Sequence, residues 1–166
     1  MRFKIRYGAF ETNSSSEHSI VVDASMKNKP RITKEEALAD LGRMCKGELI
    51  HDDELDLSGV VEKELRFGWG YDAFTDFGHK LFYVLAECRL DDSLFDDIEA
   101  FLKEFFGVSG IKYARDDYGA GKKYMVGDVD HQSMGTLGKV CFAEGVSAID
   151  FILDKRYVLI IDNDNG

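Results

Sequence analysis

The chain has 166 residues, of which 31 are acidic and 21 basic, so its formal net charge is −10. An apolar fraction of 45% excludes general disorder, and no run of about 18 apolar residues predicts a membrane-spanning helix. A sequence pI near 4.8 argues against direct nucleic-acid binding, which depends on Lys and Arg to neutralise phosphates. Three widely spaced cysteines form no disulfide framework. We therefore expect one cytoplasmic domain over residues 1–166.

The first elements predicted are two strands. Apolar and polar residues alternate over 2–7, as in a half-buried strand, and residues 19–22 predict a second strand that pairs with the first as a hairpin. The segment between them, 8–19, is rich in Ser and contains Asn, so we expect a loop there.

Helices are predicted next. Thr33 followed three residues later by Glu36 is a capping box, so a helix should begin there and end near Gly47. Residues 48–69 leave a strand pair or a short helix open. Apolar residues at helical spacing predict a helix over 75–88.

Three further elements complete the chain. Ser93 and Asp96 form a second capping-box pattern, which predicts a helix over 93–106. Ser147 begins a short helix, and residues 157–161 predict a central strand because they are apolar on both faces. Strands and helices do not alternate regularly. We therefore expect an α+β fold with a small, mostly antiparallel sheet covered by about four helices.

Polar residues of several chemical types crowd the segment before the second predicted strand. It reads Glu11, Thr12, Asn13, Ser14, Ser15, Ser16, Glu17, His18 and Ser19. Ser and Asn side chains hydrogen-bond their own backbone and make loops rigid, so this loop is suited to present His18 as a metal ligand or general base. The alternative is that the serines are turn residues and His18 is an ordinary surface side chain.

A second polar segment contains Asp130, His131, Gln132 and Ser133. A carboxylate beside an imidazole is typical of sites where the two share a metal or act as base and orienting group. An Asp-rich turn explains the same residues without a site. Asp162, which follows the final predicted strand, is a further candidate for a site assembled from distant segments.

The opening motif resembles a family of bacteriophage, prophage and bacterial proteins that begin with a short strand followed by FETNSSSxHS. The matching residues are Phe10-Glu11-Thr12-Asn13-Ser14-Ser15-Ser16-Glu17-His18-Ser19. Shorter similarities cover Val129-Asp130-His131-Gln132-Ser133 and Ile160-Ile161-Asp162-Asn163-Asp164. The resemblance implies a phage or mobile-element context but no particular reaction.

Two polar motifs, each with one histidine, fit convergence on a single centre. We expect His18 and His131, with Asp130 or Asp162, to meet at one edge of the sheet and bind a divalent metal such as zinc. In one version this centre is structural. In the alternative it belongs to a metal-dependent hydrolase of phosphoesters or nucleotides.

Acidic residues fall in two runs, between 48 and 64 and between 91 and 104. Among them we take as candidate partner-binding residues Asp52, Asp53, Glu54, Asp56, Asp91, Asp92, Asp96 and Asp97. An anionic surface of this kind docks on a basic groove of another protein, although acidic residues also simply keep a surface soluble. We expect a phage accessory protein that inhibits a host-defence nuclease, in the manner of an anti-CRISPR protein.

Overall fold

A computed structural model of the protein describes residues 4–8, 16–23, 25, 26, 28, 30–61, 64, 66–67, 71–88, 92–114, 128–129 and 145–163. Within them, nine strands and four helices alternate irregularly along the chain. Most strand pairs are antiparallel. The predicted α+β class, with a small, mostly antiparallel sheet and about four helices, is confirmed.

The largest sheet has four strands in the order β1-β2-β9-β6, and all its pairs are antiparallel. Its strands are β1 Lys4–Gly8, β2 Ser16–Asp23, β6 Asp72–Phe74 and β9 Tyr157–Asn163. The predicted β1–β2 hairpin is therefore confirmed, and β9 is central as its apolar sequence indicated.

Two smaller sheets complete the strand structure. One is a hairpin of β3 Ile50–His51 and β4 Glu54–Asp56, extended by the parallel strand β7 Gly110–Lys112. The other pairs β5 Arg66–Phe67 in parallel with β8 Asp128–Val129. The described residues of the region 48–69, which the sequence left open, thus hold short strands rather than an α-helix.

The four helices are α1 Lys34–Met44, α2 Phe77–Glu87, α3 Asp92–Phe106 and α4 Ala148–Leu153. The capping box predicted for α1 is present, because the Thr33 hydroxyl accepts from the Glu36 backbone N–H and Glu36 accepts from the Thr33 N–H. Ser147 caps α4 as expected. Helix α3 begins at Asp92, one residue before the predicted start, so Ser93 lies in its first turn.

Helix α2 lies at the centre of the core. It packs against α1, α4 and β8, and all its residues except His79 are buried. Its largest side chains, among them Phe77, Phe82 and Tyr83, are fully inaccessible to solvent. Burial on several sides explains why this helix carries apolar residues around most of its circumference. None of the helices in the described ranges is long and apolar enough to cross a membrane.

Candidate functional site

His18 lies on strand β2 and not in a loop, which corrects the prediction that residues 8–19 form a loop throughout. Its side chain is only 2% exposed. The Nδ1 atom is 3.0 Å from the hydroxyl of Tyr83 on α2, and the two rings are 5.7 Å apart. His18 is therefore an inward-facing residue that joins the sheet to the central helix, rather than a surface imidazole.

Strand β8, whose last residue is two positions before His131 in sequence, also contacts α2. Val129, two residues before His131, pairs with Phe67 in the β5–β8 ladder. The Phe67 ring packs edge-on against Tyr83 with 5.3 Å between ring centroids. Tyr83 in turn contacts His18. The side chains of Phe67 and Tyr83 therefore form a chain of contacts between strand β8 and His18.

Asp162 is on the other side of the sheet from His18. In the β2–β9 ladder His18 stands opposite Ile161, whereas Asp162 stands opposite Glu17. Neighbouring residues of a strand point to opposite faces, so His18 and Asp162 do not face one another. The strand register thus separates two of the four residues proposed as metal ligands.

Several predicted site residues lie outside the described residues: Glu11, Thr12, Asn13, Ser14, Ser15, Asp91, Asp130, His131, Gln132 and Ser133. Ser16 begins β2, Ser19 is buried on the same strand, and Asp92 begins α3. No group of three or more His, Cys, Asp or Glu side chains in the described part of the chain could hold a metal ion.

A different histidine has the more elaborate ionic surroundings. His79, in the first turn of α2, places Nδ1 2.8 Å from the Asp76 carboxylate and Nε2 3.4 Å from Glu64. The Phe74 ring stacks on the imidazole. Burial alone would lower the pKa of His79, but the hydrogen bonds and charges of Asp76 and Glu64 outweigh burial and raise that pKa. No motif in the sequence predicted this cluster, although Asp76 three residues before His79 has the spacing of a helix N-cap.

Lys80 is a fully buried cation that the sequence analysis also missed. Its Nζ donates to the Asp154 backbone carbonyl at 3.1 Å and lies 5.7 Å from the Phe151 ring centroid. Burial lowers the pKa of Lys80 to about 8, opposed by the charges of Asp154, Asp76 and Asp40. Helical spacing from Phe77 and Val84 already put Lys80 on the apolar face of α2, which was the available signal.

Exposed acidic residues occur in the turn between β3 and β4 and along helix α3. Asp52 and Asp53 form the two-residue turn between β3 and β4, and the Asp52 side chain is 86% exposed. The Asp53 carbonyl accepts from the Ser109 N–H at 2.9 Å, which places this turn beside the end of α3. Exposed acids also occur along α3. We define the acidic surface as Asp52, Asp53, Glu54, Asp96, Asp97 and Glu104.

Most carboxylates of the acidic surface lack a countercharge within the described residues. Asp52 contacts His51 at 3.0 Å, while the other five form no salt bridge there. Asp56 differs, because Lys112 binds its carboxylate at 2.9 Å and Ser58 donates to it. We therefore remove Asp56 from the set of carboxylates that are available to a partner.

Comparisons with protein-family models, curated proteins and solved structures find no match. The class that the fold and the described surfaces define is an acidic α+β protein with a buried histidine–tyrosine contact.

Proposed function

We propose that this chain is a binding protein that docks its acidic surface on a basic surface of another protein. The observation that carries this proposal is the set of five exposed carboxylates without a salt-bridge partner in the described residues. Such groups keep their full charge for a partner and attract basic surfaces over about 10 Å at moderate salt. A carboxylate that is already paired within the fold, such as Asp56 with Lys112, attracts a basic partner less strongly.

The finer proposal is a phage or mobile-element accessory protein whose partner is a host-defence nuclease. The nucleic-acid channel of a nuclease is basic, so a surface with several carboxylates mimics the charge of the phosphates that the channel binds. The similarity of the FETNSSSxHS-like opening to phage and prophage proteins supports this context. The inhibitor itself needs no catalytic residue, because occupation of the channel excludes the substrate.

The test compares proteins captured from a bacterial lysate by three versions of the chain. The variant Asp52→Asn/Asp53→Asn removes two charges from the acidic surface and keeps side chains that tolerate positive φ. The matched control, Asp72→Asn/Asp162→Asn, removes two charges from the four-stranded sheet. We expect the wild type and the control variant to capture a basic protein from the lysate. The Asp52→Asn/Asp53→Asn variant, called the hairpin variant below, should capture less of that protein, and increasing salt should release it.

The next measurement is whether the chain inhibits the activity of the protein that it captures. If the retained protein is a nuclease, the purified chain should inhibit its DNA cleavage, and the hairpin variant should inhibit less than the control variant. Equal capture by all three versions, or capture that does not depend on salt, would reject docking through the acidic surface. Capture with unchanged cleavage would reject nuclease inhibition only.

We propose as a second candidate a metal-dependent hydrolase in which His18 and His131 hold a divalent metal and Asp130 or Glu11 acts as the base. It rests on the two histidine-bearing sequence motifs, and in the structure the side chains of Phe67 and Tyr83 lie between Val129 and His18. Elemental analysis of purified protein and of His18→Ala and His131→Ala tests it, together with hydrolysis of bis(p-nitrophenyl) phosphate. A folded wild-type protein without stoichiometric metal and without hydrolysis would reject this candidate.

A further inference from the structure

A pocket of about 250 Å³ lies between α3 and α4. Leu94, Ile98, Ala148 and Ile149 line it together with the polar residues Ser93, Asp97 and Ser147, and Ile98 is fully buried. It is smaller than the roughly 300–1,000 Å³ sites that enclose drug-sized ligands. The size and the lining therefore suit one side chain of a partner rather than an independent small molecule.

The charge at this pocket comes from Asp97. Asp97 belongs to both the pocket lining and the acidic surface, and it forms no salt bridge with any described residue. Asp150, a second carboxylate beside the pocket, is already paired with Arg31 at 2.5 Å and accepts from the Ser147 hydroxyl. The pocket thus combines aliphatic side chains and two serines with the carboxylate of Asp97, which is available to a cation.

We propose that the pocket between α3 and α4 holds an arginine side chain of the basic partner. The aliphatic stem of an arginine would lie against Leu94, Ile98 and Ile149 while its guanidinium pairs with Asp97. Arginine is enriched at the centres of protein interfaces, where a pocket and a carboxylate together fix its position. This inference rests on the proposed docking function and adds where and how one partner residue is recognised.

The direct test is a methyl NMR titration of the full chain with N-acetyl-arginine amide. The matched ligand is N-acetyl-citrulline amide, which has nearly the same shape without the charge. We expect shifts of the Leu94, Ile98 and Ile149 methyl groups with the arginine ligand, and binding about fivefold weaker with citrulline. Equal affinity for both ligands, or shifts confined to other methyl groups, would overturn the proposal.

Adjacent residues supply the matched variants. Asp96→Asn and Asp97→Asn remove the same charge from exposed positions of one helix, but only Asp97 lines the pocket. We expect Asp97→Asn to weaken arginine binding about fivefold and Asp96→Asn to leave it nearly unchanged. Equal effects of the two variants would show a diffuse attraction to the acidic surface and reject a specific site.

The titration and the lysate capture fail in distinguishable ways. If arginine amide does not bind while Asp52→Asn/Asp53→Asn still weakens capture, the pocket inference is rejected and acidic docking stands. If arginine amide binds through Asp97 but no acidic-surface variant changes the amount of protein captured, the proposal that the acidic surface docks on a partner is rejected. The methyl spectra also report directly that each variant is folded.

Discussion

The Nδ1 atom of His18 lies 3.0 Å from the hydroxyl of Tyr83, and both side chains are at least 98% buried. This contact joins the second strand of the main sheet to the central helix across 65 positions of sequence. A buried polar pair of this kind stabilises the fold only while both members are present, because either one alone loses a partner that water cannot replace.

We expect Tyr83→Phe to lower the free energy of unfolding by about 1–3 kcal/mol, since it removes the hydroxyl and leaves the His18 ring without that partner. Urea denaturation measures the change. Tyr71→Phe is the matched control, because Tyr71 is 68% exposed and should unfold like the wild type. Equal stability of the two variants would contradict a structural role for the His18–Tyr83 contact.

Lys80 should make stability depend on pH in the alkaline range. Its pKa is lowered by burial to about 8 from an ordinary value of 10.5, so the unfolded chain binds more protons between these values and stability rises with pH. Relative to Lys80→Met, the wild type should gain about 1 kcal/mol between pH 7 and pH 9.

The measurement for Lys80 is the difference in unfolding free energy between wild type and Lys80→Met at several pH values. Burial raises the pKa of Cys45 to about 11, but this thiol is present in both proteins, so its contribution cancels in the difference. A difference that stays constant from pH 7 to pH 9 would mean that Lys80 is solvated in solution.

The Asp76–His79 pair should contribute over a different pH range. Burial opposes ionisation of Asp76, but hydrogen bonds from the His79 side chain and backbone lower the pKa of Asp76, while that of His79 is raised. The stabilisation is therefore present between these two pKa values. It is lost as pH falls through the lowered pKa of Asp76 or rises through the raised pKa of His79.

Asp76→Asn isolates the charge, because asparagine still caps α2. We expect it to destabilise the protein by about 1 kcal/mol near pH 5.5, with a smaller effect at a pH above the raised pKa of His79. Thermal or urea unfolding at both pH values provides the comparison. A loss of the same size at both would assign the effect to capping rather than to the ion pair.

The turn of the β3–β4 hairpin carries two non-glycine residues with positive φ, 49° at Asp52 and 63° at Asp53. Asn-Gly is the preferred sequence for a two-residue turn with this backbone. Asp52→Asn/Asp53→Gly should therefore raise the unfolding free energy by about 1 kcal/mol. The proposed docking predicts that the same change weakens partner capture, so stability and binding should move in opposite directions. A variant that unfolds more easily would contradict the turn geometry.

The local signals in the sequence predicted much of the fold. The Thr33–Glu36 capping box and the Ser147 cap mark the beginnings of α1 and α4 because a cap depends on residues only three positions apart. The apolar run 157–161 indicated a central strand, and β9 indeed pairs with β2 on one edge and β6 on the other. The sequence also located the acidic runs, because charge is a property of composition.

Only the tertiary structure decided which polar groups are buried and which charges are available. Strand β2 begins at Ser16 and therefore includes His18. The His18 side chain is buried because it faces Tyr83, 65 positions away in the sequence. Lys112 neutralises Asp56 across 56 positions, whereas Asp97 has no such partner among the described residues. Caps and periodicity are set by neighbours in sequence, while burial and ion pairing depend on contacts between distant segments that no local pattern encodes.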